Sequence, residues 1–147
     1  MMAVDSNIWC YYIDPTLPEH EPVSKFMDDL ILSGEGILTN TVIWMEVGHY
    51  LYKVSRLPRN AIAEILNGLM GLSTMVIVEL DLELLHESLA VLSRLWTYPI
   101  GGRDATIIAS MNRLGVKELV THDEGFKALA KAGIIEVIDP VEGAFRP

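Results

Sequence analysis

Five short β-prone runs punctuate the chain: Met2 to Val4, Gly36 to Thr39, Met75 to Val78, Glu118 to Thr121 and Ile135 to Ile138. Each is flanked by longer segments whose apolar residues recur at helical spacing. Strands that alternate with helices in this way build β-α units, so the pattern predicts an α/β fold with three α/β/α layers and a mostly parallel central sheet. Helices are predicted over Pro18 to Ser33, Asn40 to Val54, Arg59 to Leu72, Asp81 to Trp96, Arg103 to Leu114 and Gly125 to Ala132. The first shows Val23, Phe26, Met27, Leu30 and Ile31 on one face, and the fourth shows Leu85, Leu89, Leu92 and Trp96. Ser33-Gly34, Gly115 and Gly133 read as C-terminal stops. Right-handed crossovers leave the carboxyl ends of the strands along one edge, where ligands of open α/β sheets bind. The residues that follow the strands are therefore the ones to interrogate.

The 147 residues fit one domain, 1–147, with only a short tail after Asp139-Pro140. Half of them are hydrophobic and 21% are charged, which excludes a disordered chain and supports a packed core without disulfides. The longest charge-free stretch, Ile65 to Val78, falls short of the roughly 20 apolar residues that span a bilayer. No membrane helix is expected. Met1 to Asp5 lacks the basic and apolar regions of a secretory signal, and Cys10, the single cysteine, cannot form an internal bridge, so a cytoplasmic location is expected. The net charge of −9 repels polyanions at long range. A nucleic-acid substrate would need local basic residues, bound cations or a partner's charge to approach.

Four acids stand out against this frame. Asp5 directly follows the first β-prone run and Asp123 follows the fourth. Either alone could be a turn residue or helix cap. Glu46 sits on or beside the apolar stripe formed by Val42, Ile43, Val47 and Tyr50, where an unpaired charge is costly unless it reaches water or meets an arginine. Asp104 falls in the first turn of its helix, where an acid also complements the helix dipole. Were the four to converge at the sheet edge, each pair at about 5 Å would repel by roughly 3 kcal/mol at an effective dielectric near 20. Such a cluster calls for a compensating cation. An all-oxygen site selects magnesium or manganese, ions suited to phosphoryl chemistry.

The blocks Asp5-Ser6-Asn7-Ile8, Thr41 to Val47 around Glu46, Asp104 to Ala109, and Thr121-His122-Asp123-Glu124-Gly125-Phe126 resemble, in order, the four acidic blocks of PIN domains, with closest similarity to VapC-type toxins. The resemblance runs from Val4 to about Ile138. It implies the three-layer fold with a metal-dependent endoribonuclease activity that leaves a 5′-phosphate and a 3′-hydroxyl. It also implies Asp5, Glu46, Asp104 and Asp123 as Mg2+ or Mn2+ ligands or their close supports, with Asn7 and Thr121 as polar helpers. The partners it implies are an RNA substrate and a small antitoxin, with a homodimer as a further expectation. A PIN-fold module that binds RNA or protein without turnover is the alternative.

Lys53, Arg56 and Arg59 form the densest basic group and Arg103 adjoins Asp104, so these are the candidate phosphate contacts, each also readable as ordinary surface. Trp9, Tyr11 and Tyr12 could stack on unpaired bases, although core packing is the stronger expectation. Cys10 reads as a small apolar residue. Two Glu-x-x-His spacings, Glu46 with His49 and Glu83 with His86, match the device of di-iron bundles, which requires a four-helix bundle. A receiver-type phosphoacceptor domain lacks its adjacent acid pair here.

Overall fold

The computed structural model describes residues 1–143. The last four residues of the predicted tail lie outside the described residues. In chain order the elements are β1 Met2–Val4, α1 Ser6–Ile13, α2 His20–Ser33, β2 Ile37–Asn40, α3 Thr41–Lys53, α4 Arg59–Met70, β3 Met75–Val78, α5 Leu82–Arg94, α6 Gly102–Leu114, β4 Glu118–Val120, α7 Glu124–Lys131 and β5 Glu136–Ile138. All five β-prone runs are strands, and they form one parallel sheet in the order β3-β2-β1-β4-β5.

The chain leaves β1 in one direction, through β2 to β3, and then crosses back to place β4 on the other side of β1. Between β1 and β4 the connections diverge, so the carboxyl ends of these two strands mark the switch point at which ligands of open α/β sheets bind. The receiver fold has the order 2-1-3-4-5 and di-iron sites need a helix bundle, so neither rival reading matches this topology.

Strands this short hold because helices cover the sheet. Val4, Ile37, Leu38, Leu119, Val120 and Val137 are all buried, as parallel strands require. Val23, Met27 and Leu30 are buried on α2, with Phe26 and Ile31 half-buried against the core, as the periodicity predicts. Gly34 and Gly115 close α2 and α6 in the left-handed conformation, at φ of 75° and 66°.

Two findings depart from expectation. Ser6–Ile13 is a helix, although its β-branched and aromatic residues carry little helix propensity. Burial overrides propensity there: Ile8 and Trp9 are wholly buried, and the Trp9 ring lies 5.0 Å from that of Trp44. Trp9 is therefore a core residue and unavailable for base stacking. In α5 the buried stripe is Leu84, Ser88 and Val91, continued by Leu95, one position off the expected Leu85, Leu89, Leu92 and Trp96 face. A one-residue offset rotates the helix by about 100°. Ser88, whose hydroxyl returns to the Leu84 carbonyl at 2.7 Å, is small enough to lie against the Ala- and Ser-containing α6, and Leu82, Leu85, Leu89 and Trp96 are left exposed.

Candidate metal centre at the carboxyl edge of the sheet

Asp5 leaves the end of β1 and becomes the N-cap of α1. Its Oδ1 accepts from the Ser6 amide at 2.7 Å, while Oδ2 accepts from the Thr121 hydroxyl at 2.7 Å. Thr121, wholly buried just beyond β4, also accepts from the Asp123 amide at 3.1 Å. One hydroxyl thus couples the two strand-end acids. Asp123 starts α7 without using its side chain as a cap, which leaves the carboxylate uncommitted. Gly125 permits this loop: a Cβ there would stand 2.5 Å from the Pro99 carbonyl oxygen and 3.0 Å from Asp123 Oδ2.

Glu46 and Asp104 arrive from two helices that a single buried amide links. Asn40 ends β2, and its Oδ1 accepts from the Ile43 amide at 2.8 Å to cap α3. Its Nδ2 donates to Thr106 Oγ1 at 3.2 Å and Ser110 Oγ at 3.3 Å on α6. The amide therefore ties the helix carrying Glu46 to the helix carrying Asp104. The sequence reading gave Asn40 no functional role, although an asparagine at a strand-to-helix junction is a cap signal. Asp104 Oδ2 accepts from the Gly101 amide at 3.1 Å, and Glu46 Oε2 is ion-paired to the Arg103 guanidinium.

The four acids act on one another electrostatically. Burial pushes the Asp5 carboxyl up to about 6, with Asp104 and Asp123 adding to the rise. Burial also raises Glu46, with Arg103 opposing and Asp5 and Asp104 adding, and it raises Asp104, to which Asp123 contributes. Glu46 Oε1 and Asn7 Oδ1 are buried without a hydrogen-bond partner. Both are oxygen acceptors. Buried oxygen lone pairs of this kind, on an all-oxygen donor set, fit a hard divalent cation.

Among the described residues, the grouping that brings three potential ligand atoms within 4.8 Å of one another is a different one, His122, Asp139 and Glu142. A cation from the chain itself already occupies it. Lys127 Nζ lies 2.7 Å from Asp139 Oδ2 and 3.0 Å from Glu142 Oε2, and His122 Nδ1 lies 2.8 Å from the same Asp139 oxygen. Burial alone would lower the lysine, but these partners hold it above its ordinary value. Asp139, expected to open a tail, instead anchors the loop that carries Thr121 and Asp123.

The basic candidates separate by distance. Lys53 ends α3 seven residues beyond Glu46, about 10 Å along the helix axis, and Arg59 opens α4. Arg103 alone among them pairs with the acids, through Glu46 and, at 3.9 Å, Asp104. Tyr11 and Tyr12 are half-buried against the core, and burial pushes the Cys10 thiol up to about 12, leaving it an inert packing group.

The raised acids predict the pH dependence of stability. A carboxyl that titrates near 6 when folded and 3.8 when unfolded binds more protons in the native state between those values, so its effect is to lower stability as pH rises through that window. Glu46 and Asp104 act in the same direction. Asp14 and Asp139 are held below the usual range and act only below about pH 4. Metal-free protein should thus lose about 2 kcal/mol between pH 4.5 and 7 through Asp5. Thermal melts in EDTA should show the decline, and Asp5→Asn should flatten it.

A family model described as PIN domain matches residues 2–132. Two named relatives, a VapC ribonuclease of Mycobacterium bovis and ribonuclease VapC13 of Mycobacterium tuberculosis, are each 26% identical over 128 residues, covering 86% of this chain and 92% of theirs. The crystal structure of Mycobacterium tuberculosis VapC20, a toxin that cleaves the sarcin-ricin loop, superposes with a TM-score of 0.71 at 16% identity over the full length of both chains. VapBC2 from Rickettsia felis, solved on a DNA fragment from its promoter, gives 0.65 at 14% identity, covering 94% of this chain and 97% of that one. With the parallel sheet, its switch point and the matched span in agreement, the chain belongs to the PIN domain family.

Proposed function

We propose that this protein is a divalent-metal-dependent endoribonuclease of the VapC type, the toxin of a toxin-antitoxin pair, acting in the cytoplasm. The observation that supports the reading is the mutual electrostatic influence of Asp5, Glu46, Asp104 and Asp123 about the carboxyl end of β1, with Glu46 Oε1 buried and unpaired.

Asp5, Glu46, Asp104 and Asp123 would hold magnesium or manganese, which when bound lowers the pKa of a water and offsets the charge that develops at a phosphodiester under attack. The chain's own groups do the rest. Thr121 fixes the Asp5 carboxylate by donating to Oδ2, and Asp5 reaches the site already oriented by the Ser6 amide. Asn7 Oδ1, in the first turn of α1, is a further buried acceptor. Glu46 Oε1 is the acceptor for a proton of the attacking water, and its raised affinity for protons suits that task. In-line attack yields a 5′-phosphate and a 3′-hydroxyl.

Cleavage of a mixed single-stranded RNA pool should require Mg2+ or Mn2+ and stop in excess EDTA. Activity that persists in the chelator would overturn the proposal. A small antitoxin with a basic segment fits the −9 charge, and complexes of VapB with VapC among the structural neighbours support such a partner. Stable co-purification of the chain with the product of an adjacent small gene is the expected result. Among the described residues no helix is long and apolar enough to cross a membrane.

A further inference from the structure

Among the described residues, the Arg103 guanidinium is the cation paired with these acids, through Glu46 and Asp104, and its geometry is that of a temporary occupant. Nη1 is on Glu46 Oε2 and Nη2 lies 3.9 Å from Asp104 Oδ1, yet the side chain remains 58% exposed. A structural arginine pair at such a position would be buried and locked by further acceptors. Glu46 contrasts with it: one carboxylate oxygen holds the arginine, while the other is buried with no partner. The glutamate is therefore half-satisfied, by a cation that can swing into solvent without leaving its helix.

We propose that Arg103 is an internal counter-ion of the metal centre. A divalent cation displaces it from Glu46, and the freed guanidinium then binds a phosphate of the RNA strand. The inference rests on the metal-dependent nuclease reading. Its physical basis is competition: Arg103 and a metal neutralise the same carboxylate, so each weakens the other's hold, and an exposed pair of this kind exchanges readily. Arg103 sits on the first turn of α6, one residue from Asp104, so its reach once released covers the space just outside the acids, where the phosphates flanking the attacked bond must lie. The planar fork of an arginine suits a phosphate oxygen pair. The arrangement also answers how a chain at −9 accepts a polyanion: the arginine becomes available to phosphate at the step when the metal has reduced the local negative charge.

The test uses Arg103→Gln and Arg103→Lys in the full chain, with two readouts that need no turnover. First, Mn2+ is titrated in the absence of RNA by calorimetry. Arg103→Gln should bind Mn2+ about three- to fivefold more tightly than the parent, and Arg103→Lys should fall between them. Second, a labelled single-stranded oligonucleotide is titrated with Ca2+ in place of Mn2+ at several salt concentrations. Arg103→Gln should bind it more weakly, and the slope of log K against log salt should fall by about 0.7, the value of one phosphate contact. The opposite signs are the signature. Weaker metal binding would mean that Arg103 orients Glu46 for the ion, and unchanged metal or RNA binding would mean a surface ion pair; each overturns the inference. Asp5→Asn is the separate control. If the parent binds no Mn2+, or Asp5→Asn binds it equally well, the metal-centre reading itself fails; if only the Arg103 results are wrong, that reading stands without this addition.

Discussion

Asp5→Asn and Asp123→Asn should each lower RNA cleavage at least a hundredfold at saturating Mn2+ while the protein stays folded. Each removes a charged oxygen donor from a site whose proposed chemistry depends on holding a cation against a phosphodiester, and losses of this size are usual when such a ligand goes. The structure explains why folding survives. An amide at position 5 keeps its oxygen toward the Ser6 amide and offers Nδ2 to Thr121 Oγ1, while a buried charge disappears. Circular dichroism and a melt in EDTA check the fold, and rates measured on single-stranded RNA check the function. Wild-type rates in both variants would move the chemistry away from this site. The Asp5 variant should also melt at least as high as the parent at pH 7 without metal, because the raised carboxyl costs stability there.

Asp139→Ala should have the largest effect on stability, about 3 to 5 kcal/mol, the range for removing one partner of a buried ion pair. Lys127 is only 3% exposed, and Asp139 holds it together with His122. Truncating Asp139 removes the buried acid that lies 2.7 Å from this ammonium, whereas Glu124 and Glu142, which also pair with it, are largely exposed. For a chain of this size the melting temperature should drop by about 10 °C or more. The double variant Asp139→Leu with Lys127→Met should recover most of the loss, since replacing both buried charges with apolar groups removes their desolvation cost. A melting temperature within 2 or 3 degrees of the parent for Asp139→Ala would show that the lysine is satisfied from elsewhere.

Asp139 and Lys127 also mark where sequence reading stops. Their pairing joins the end of β5 to α7, and nothing in an Asp-Pro turn or a lysine within Phe126-Lys127-Ala128 distinguishes them from surface residues. The same holds for Arg103. An arginine beside Asp104 was legible as a phosphate candidate, but its partner Glu46 lies 57 positions away. Glu46 itself was legible as an acid on an apolar stripe, with water or an arginine as the alternatives, and the fold settles on the arginine.

The five strands, the parallel α/β class, the candidate acids and the family resemblance were legible in the chain alone, because those signals are local: short β-prone runs, helical spacing, strand-end carboxylates and four short blocks in order. Tertiary structure decided the strand order, which puts β1 between β2 and β4 and so brings Asp5 to Thr121 across 116 residues of sequence. It also decided the helix at Ser6–Ile13, where packing of Ile8 and Trp9 outweighs weak propensity, and the rotation of α5, where two apolar stripes compete and the small Ser88 selects the buried one. Propensity and periodicity are properties of neighbours along the chain, whereas the partner of a buried charge and the face a helix hides depend on which distant surfaces meet.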